Sequence, residues 1–218
     1  MRVIAIDRQP RRRHFDVRTD GGLVLPISPE VLARFHLRVG DELDQSRLDE
    51  IADAEARHSA LATALRLLTY RPRSEAELRD RLGRQRAPAA ITDEVVARLK
   101  ELSLIDDEAF ARMWVERRQR TSPHGRRLIA SELRAKGLSR SVVENSIADL
   151  DEGEAAYRAA ARRARSLSSA PYPQFRRRLT DLLLRRGFDA EAAGQATRRL
   201  WQERGAGPPE TGEGEPAA

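Results

Sequence analysis

A helical pattern recurs three times along this chain, and the repetition constrains the fold more than any other feature of the sequence. Each copy contains two large aliphatic residues at positions i and i+4, and successive pairs are 51 and then 50 residues apart. The pairs are Leu78 with Leu82, Ile129 with Leu133, and Leu179 with Leu183. Repetition at this length is typical of stacked supersecondary units. The sequence therefore predicts three helical repeats that pack end to end.

Further helices flank each pair, so the predicted repeat contains three helices. The repeats are predicted at 59–107, 108–152 and 153–204, and their first helices lie around 60–68, 108–120 and 154–167. The third helices align through Val95, Leu99 and Leu102, then Val143, Ile147 and Leu150, then Ala193, Thr197 and Leu200. We therefore expect a mainly α fold built from tandem three-helix repeats.

Helix-capping signals occur at matching places in the copies. Ser74 and Glu77 form a capping-box signature, in which the serine oxygen accepts a hydrogen bond from the Glu77 N–H. Gly137 and Gly187 follow the middle helices of the second and third copies, where glycine can adopt the left-handed C′ conformation. In the first copy Arg86 stands at this place, and the loop is three residues longer.

Residues 1–58 differ from the repeats and are predicted to form a β-hairpin and helix extension. Alternating β-branched and apolar residues on both sides of the Asp-Gly-Gly turn at 20–22 indicate two or three antiparallel strands. The Ser-Pro-Glu sequence at 28–30 is typical of a helix start. We expect Gly40 to end that helix. A second helix is expected over 46–56, merging with the first repeat.

Composition favours small helical modules and is compatible with a reducing interior. Aromatic residues make up only 5% of the chain, which suits a Leu, Ile, Val and Ala core better than a β-sandwich. There are no cysteines, so disulfides, thiolate catalysis and cysteine zinc sites are excluded. No apolar run reaches the roughly 18 residues of a membrane span, and no signal peptide is recognisable. We expect a soluble cytoplasmic protein with a disordered Gly, Pro and Glu tail at 205–218.

Positive charge is concentrated in the third repeat. The chain carries a net charge of +6, and residues 153–204 alone hold 12 basic and 5 acidic side chains. Nearly all the basic residues are arginines, since lysine occurs only at Lys100 and Lys136. Arginine gives planar contacts with several donors to phosphates and carboxylates. The charge therefore points to an anionic partner, or to a strongly solvated surface.

Arginines cluster at the two ends of the middle helices of the second and third repeats. Members seven residues apart share one helix face, so leucines can pack inward while arginines form an outward stripe. Such a stripe either keeps a small domain soluble or binds phosphates or an acidic protein surface. The candidate binding residues are Arg126, Arg127, Arg134, Arg176, Arg177, Arg178, Arg185 and Arg186.

Catalytic and metal-binding patterns are weak. The histidines, at 14, 36, 58 and 124, have no metal-ligand spacing, and no glycine-rich phosphate loop is present. The acidic run at 106–108 suits either a two-metal nuclease or a helix N-terminus, where acids are favoured by the helix dipole. We interpret it as a helix start. Trp114 and Trp201 are expected in the core. We therefore expect no enzyme, no cofactor and no metal.

Four segments together resemble the RecX family of regulatory proteins, which modulate the RecA recombinase. They are ALRLLTYRPRSEAELRDRL, LSLIDDEAFARMWVERR, GRRLIASELRAKGLSRSVVENSI and RRRLTDLLLRRGFDAEAAGQATRRL, and they span about residues 59–204. The segment ISPEVLARFHLRVGDELD is similar to the N-terminal extension of the longer members. The first-copy turn departs from the pattern because it lacks the usual glycine, and the tail is additional.

The resemblance implies an elongated, curved array of helical repeats that engages the RecA–DNA filament and interferes with strand exchange, ATP hydrolysis or filament extension. The implied setting is homologous recombination, DNA repair and the SOS response. The expected partners are the RecA filament and single- or double-stranded DNA, bound weakly or together with RecA. No membrane partner is expected, and the protein is expected to be a monomer. A general DNA-binding repeat module remains the alternative.

Overall fold

The computed structural model describes residues 1–9 and 14–205 and divides into two compact units. The first unit extends from Met1 to Asp106, and the second begins at Asp107. The expected mainly α fold is confirmed, with ten helices and three strands in the described residues. The predicted disordered tail lies almost entirely outside the described residues.

The strands are β1 (Val3–Gln9), β2 (His14–Thr19) and β3 (Val24–Ile27). The helices are α1 (Pro29–Arg34), α2 (Gln45–Tyr70), α3 (Glu75–Arg84), α4 (Ala89–Glu101), α5 (Asp107–Thr121), α6 (Arg126–Ala135), α7 (Arg140–Ile147), α8 (Glu152–Arg165), α9 (Tyr172–Arg185) and α10 (Ala190–Gln202).

The three strands form the antiparallel sheet expected from the N-terminal pattern. Their order is β1-β2-β3, and Val17 in the central strand pairs with Ile6 on one side and Leu25 on the other. Gly22 has a φ of 78°, which suits the turn between β2 and β3. Val17 is fully buried against residues of α1 and α2. The sheet therefore covers one end of the helical part of the first unit.

Helix α1 starts as expected but ends earlier than predicted. The Ser28 hydroxyl accepts a hydrogen bond from the Val31 N–H, and Pro29 is the first helical residue. The helix stops at Arg34. His36 then takes a φ of 51°, and the Leu37 N–H donates a hydrogen bond to the Leu32 carbonyl. The prediction that Gly40 ends this helix is wrong, because burial of Leu37 in the core turns the chain away first.

Helix α2 is shared between the N-terminal extension and the first repeat. It begins at Gln45, after the capping side chain of Asp44, and continues without a break for 26 residues. The predicted merging of the second N-terminal helix with the first repeat is therefore confirmed. Its first half buries Leu48 and Ile51 against the sheet, and its second half buries Ala64 in the first repeat. The predicted boundary at residue 58 falls inside this helix.

Each three-helix group has an apolar core of its own. The first repeat consists of the second half of α2 with α3 and α4, the second of α5 to α7, and the third of α8 to α10. The aliphatic pairs that revealed the repetition are all fully buried, each in the cluster of its own repeat. The repeats found from spacing alone are therefore structural units.

The turn after the middle helix has the same geometry in all three repeats. Arg86, Gly137 and Gly187 have φ values of 60°, 80° and 82°. In each copy the next N–H bonds back to the carbonyl of the second aliphatic residue of the pair, as when Leu138 donates to Leu133. The predicted left-handed glycine caps are therefore confirmed, and the first repeat places an arginine in the same conformation.

Leu102 differs from the residues aligned with it in the other repeats. Its exposed fraction is 49%, whereas that of Leu200 is 8%. Helix α4 ends at Glu101, and Ser103 then adopts a φ of 54° and reverses the chain. Ile105, rather than Leu102, fills the core of the first repeat beyond this reversal.

Backbone atoms form a joint between the second and third repeats. The Gly125 N–H donates to the Arg186 carbonyl at 2.9 Å, and the Arg127 N–H donates to the Gly187 carbonyl at 3.2 Å. A Cβ atom at Gly125 would lie 2.3 Å from the Gly187 oxygen, and one at Gly187 would lie 2.4 Å from the Leu128 nitrogen. Both positions therefore require glycine. We call the contact of residues 125–128 with residues 186–188 the repeat joint.

The repeat joint satisfies polar groups that helix ends leave without partners. Helix α6 begins at the joint and α9 ends there, so N–H groups with partial positive charge meet carbonyls with partial negative charge. Glu152, the first residue of α8, completes the arrangement because its Oε1 accepts from the Arg126 N–H at 2.8 Å. The joint therefore uses the ends of three helices.

Glu132 on α6 forms a polar cluster beside this joint. Its Oε2 accepts hydrogen bonds from Trp114 Nε1 at 2.7 Å and from Arg118 Nε at 2.8 Å. Its Oε1 lies 3.6 Å from Nδ1 of His124, the residue before the start of the joint. We call Trp114, Arg118, His124 and Glu132 the Glu132 cluster. Opposite charges meet inside it, so the cluster requires no external counter-ion.

Gly125→Ala should destabilise the second unit by about 1–3 kcal/mol, because the new methyl group overlaps backbone atoms that cannot move independently. Urea unfolding followed by tryptophan fluorescence measures this, since Trp114 and Trp201 both lie in that unit. Gly194→Ala in α10 is the matched control, because its Cβ would meet only Arg198 Nη1, at 3.5 Å. Equal stability of the two variants would contradict the close approach at the joint.

The second unit should also lose stability in mild acid through His124. Burial lowers the pKa of His124, and Arg118 and Arg186 add to this effect while Glu132 opposes it. The unfolded chain therefore binds the proton at higher pH, so stability should fall as the pH drops through about 6.5, the ordinary histidine value. His124→Gln should remove this part of the pH dependence, measured by urea unfolding at several pH values. His58→Gln should leave it unchanged, and an identical profile for both variants would refute the assignment.

Candidate partner-binding surface

Helix α9 places its arginines on the side away from the core. Phe175, Leu179 and Leu183 are fully buried in the third repeat. Arg178 and Arg185 lie seven residues apart on the outer face, where both are exposed. No ion pair joins the outer α9 arginines to any residue within 1–9 or 14–205. The exposed members are Arg176, Arg177, Arg178 and Arg185.

The candidate arginines of α6 divide into two kinds. Arg127 and Arg134 are exposed and form no ion pair with the described residues. Arg126 is half-buried, and its Nη2 donates to the Leu150 carbonyl at 2.6 Å. Its Nε lies 3.9 Å from Oε2 of Glu152, the same carboxylate that caps its backbone. Arg126 therefore contributes to the repeat joint.

Arg186 is also half-buried and also belongs to the joint. Its Nη1 donates to the Ala159 carbonyl on α8 at 3.1 Å, and its own carbonyl accepts from Gly125. The structure thus separates the eight candidates into six exposed arginines on α6 and α9 and two that connect repeats. The spacing along the sequence did not distinguish these groups.

A further basic stripe lies on α8. Arg158, Arg162 and Arg165 follow the i, i+4, i+7 pattern of one helix face, and all three are exposed. None of them forms an ion pair within the described part of the chain. The sequence contains the signal for this stripe, since RAAARRAR at 158–165 places arginines at i, i+4 and i+7. The candidate surface therefore includes the α8 stripe.

Ion pairs of arginine are more frequent in the first unit than in the third repeat. In the first unit, exposed arginines such as Arg47, Arg84 and Arg98 each pair with a neighbouring carboxylate. In the described third repeat the ion pairs involve Arg199, which bonds Glu154 and Glu203 and whose pKa is raised by them. The excess positive charge at 153–204 therefore stays on the surface without internal neutralisation.

The remaining predicted features occupy structural positions. Asp107 and Glu108 lie in the first turn of α5, as expected for acids at a helix N-terminus. Trp201 is buried in the third repeat, and Trp114 is half-buried and stacks on Phe110. Across the described part of the chain, His, Asp and Glu residues form no group of three that could hold a metal ion. Within the same residues, no helix has both the length and the apolar composition needed to cross a bilayer.

Three family models match the chain in succession. They describe the first, second and third three-helix domains of RecX and match residues 60–99, 106–147 and 151–197, respectively. The three matches follow the order of the structural repeats. Together they cover more than half of the chain.

Curated relatives match over most of their length. A regulatory protein RecX from Levilactobacillus brevis is 30% identical over 197 residues, which covers 88% of this chain and 73% of the relative. One from Streptomyces lividans is 36% identical over 149 residues, covering 67% of this chain and 79% of the relative. One from Listeria welshimeri serovar 6b is 28% identical over 201 residues, covering 90% of this chain and 75% of the relative. The similarity therefore extends into the N-terminal unit.

Solved structures agree with the sequence relatives. A crystal structure of regulatory protein RecX matches with a TM-score of 0.64 and 25% identity, covering 88% of this chain and 96% of the other. A crystal structure of RecX from Lactobacillus salivarius matches with a TM-score of 0.63 and 23% identity, and the match covers 67% of this chain and 97% of the other. This second likeness supports the fold alone. With three domain models matched in order and relatives similar over most of their length, this chain belongs to the RecX family of regulatory proteins.

Proposed function

We propose that this chain is a non-enzymatic regulator that binds RecA filaments and lowers recombinase activity and ATP hydrolysis. The observation that carries the proposal is the set of exposed, internally unpaired arginines on α8 and α9, in a chain of the RecX family. A RecA filament on DNA offers phosphates together with acidic protein groups. Guanidinium groups match both, because their planar fork can make two parallel hydrogen bonds.

Several weak contacts act together in this mechanism. An exposed ion pair contributes little alone, since water and salt screen it. Successive contacts along one filament become intramolecular after the first, so the effective concentration of the second site is high. The regulator then acts by occupying space that strand exchange requires. No covalent chemistry is needed.

A second candidate function is general DNA binding through the same arginines. It is favoured by the four exposed arginines of α9, which face outward without a carboxylate partner among the described residues. In this case the protein would bind duplex or single-stranded DNA without RecA. The two functions differ in whether RecA is required.

Micromolar protein should suppress RecA-driven strand exchange while RecA's own DNA binding partly survives. Replacing Arg158, Arg162 and Arg165 together by alanine should weaken the suppression severalfold, since each exposed charge contributes a few tenths to about 1 kcal/mol. Strand exchange and ATP hydrolysis are measured over a titration of each protein. The matched control replaces Arg47, Arg57 and Arg98, which are exposed but paired with acids. Strand exchange unaffected by the wild-type protein at every salt concentration would contradict the proposal.

The alternative predicts a salt-dependent affinity for naked DNA. Replacing Arg176, Arg177 and Arg178 together by alanine should flatten the plot of log K against log salt by about 0.9 for each duplex phosphate that the variant no longer binds. Fluorescence anisotropy with a labelled duplex measures this slope. A slope that stays the same in the triple variant would show that α9 does not contact DNA phosphates.

A further inference from the structure

A cavity in the first repeat brings together arginines that have no counter-charge of their own. The cavity has a volume of about 340 Å³ and lies where α2 ends and α3 follows. Five of the six residues that line it are charged. They are Arg73, Glu77, Asp80, Arg81 and Arg84, and Leu67 completes the wall.

The two acids in the cavity wall are already paired. Glu77 binds Arg71 through both of its oxygens, at 2.8 and 3.1 Å. Asp80 pairs with Arg84, one helical turn later, at 2.9 Å. The pairing with Glu77 raises the pKa of Arg71. The carboxylates of the wall therefore neutralise Arg71 and Arg84. The positive charges of Arg73 and Arg81 are not neutralised by them.

A main-chain carbonyl of α2 holds the Arg73 side chain at this position. Its Nε donates to the Leu67 carbonyl at 3.3 Å, near the end of α2, and the side chain is half-buried. Burial lowers its pKa, and the nearby positive charges of Arg71 and Arg81 add to the effect while Glu77 opposes it. Neither Arg73 nor Arg81 forms an ion pair with a described residue. Like charges therefore stand close together across an open, polar cavity.

The second repeat has a negatively charged residue at the position that corresponds to Arg81. The residue before the N-cap of the middle helix is Arg73 in the first repeat and His124 in the second. The residue before the second member of the aliphatic pair is Arg81 in the first repeat and Glu132 in the second. At the position of Arg81 the second repeat thus has a carboxylate, which faces His124 and accepts from Arg118 and Trp114. The first repeat has the same architecture with a cation in place of that anion.

We propose that the cavity beside Arg73 and Arg81 binds a phosphate group, which supplies the negative charge that Glu132 supplies in the second repeat. Guanidinium groups that converge on one cavity suit a phosphate, because each can donate two parallel hydrogen bonds to its oxygens. The phosphate is either free or part of a nucleic acid chain. This site lies in the first unit, apart from the arginines of α6, α8 and α9.

The test is a titration of the full chain with inorganic phosphate and pyrophosphate at constant ionic strength, with chloride as the reference anion. The arginine Nε–H signals of Arg73 and Arg81 should shift in a saturable manner in NMR spectra. Arg81→Ala should weaken the binding about tenfold, the expected effect of losing a charged hydrogen-bonding group. Wild-type affinity in this variant, or no saturable shift in the wild-type protein, would overturn the proposal.

Arg81→Glu provides a second, independent readout. It places a carboxylate where the second repeat has Glu132, so it should abolish phosphate binding and raise the melting temperature in phosphate-free buffer. The control is Arg120→Glu, which makes the same change of charge on an exposed residue of α5 outside the cavity. Loss of binding in the control as well would show only a general effect of net charge and would refute the site.

A short single-stranded oligonucleotide distinguishes the two sources of phosphate. Shifts at Arg73 and Arg81 with the oligonucleotide, absent in Arg81→Glu, would assign the site to a nucleic acid phosphate. Shifts with inorganic phosphate or pyrophosphate alone would assign it to a free phosphate. These measurements require no RecA, so their failure would leave the proposed regulation of RecA untouched.

Discussion

The approach of two backbones at Gly125 and Gly187 is the constraint on which the second unit depends. The apolar cores of the second and third repeats are separate clusters, so hydrophobic burial alone does not fix one repeat against the other. The joint does so with hydrogen bonds between helix ends, which are directional and set a single orientation. Next to it, Arg126 donates to the Leu150 carbonyl in the loop between α7 and α8, and Arg186 donates to the Ala159 carbonyl of α8 within the third repeat. A side chain larger than hydrogen at either glycine would separate these groups.

Arginine serves three purposes in this chain, and the local supply of carboxylates and carbonyls decides which. Where acids are near, as for Arg79 with Glu75 and Asp93, the arginine is part of an ion-pair network on the surface. At the repeat joint, arginines bind main-chain carbonyls and hold helices together. On the outer faces of α8 and α9 they have no internal partner among the described residues, and there the charge is available to phosphates or acidic proteins.

Local rules predicted much of the fold, because the relevant partners are close in sequence. The aliphatic pairs, the Ser74 cap and the left-handed turns at Gly137 and Gly187 all depend on residues within one or two helical turns. The structural role of Gly125 depends instead on a turn in the next repeat, which no local pattern reveals. The sequence likewise could not distinguish Arg126 from its neighbour Arg127, because the groups that bind Arg126 lie more than twenty residues later in the chain.

Two other differences arise from tertiary packing rather than local preference. Gly40 was predicted to stop α1, but burial of Leu37 ends the helix earlier, and the Gly40 N–H bonds Val3 beside the sheet. The arginine stripe on α8 was visible at helical spacing, yet only the structure shows that its members lack internal partners. Pairing of surface charges depends on residues distant in sequence, so composition alone could not assign binding residues.

Native-state hydrogen exchange at the repeat joint tests the central claim most directly. If the second and third repeats are joined as described, the N–H groups of Gly125 and Arg127 should exchange only when the whole second unit unfolds, with the same free energy as its core helices. Neither group would be protected by the helix to which it belongs, since the first N–H groups of a helix have no partner within it. Rapid exchange of both groups under native conditions would contradict the account.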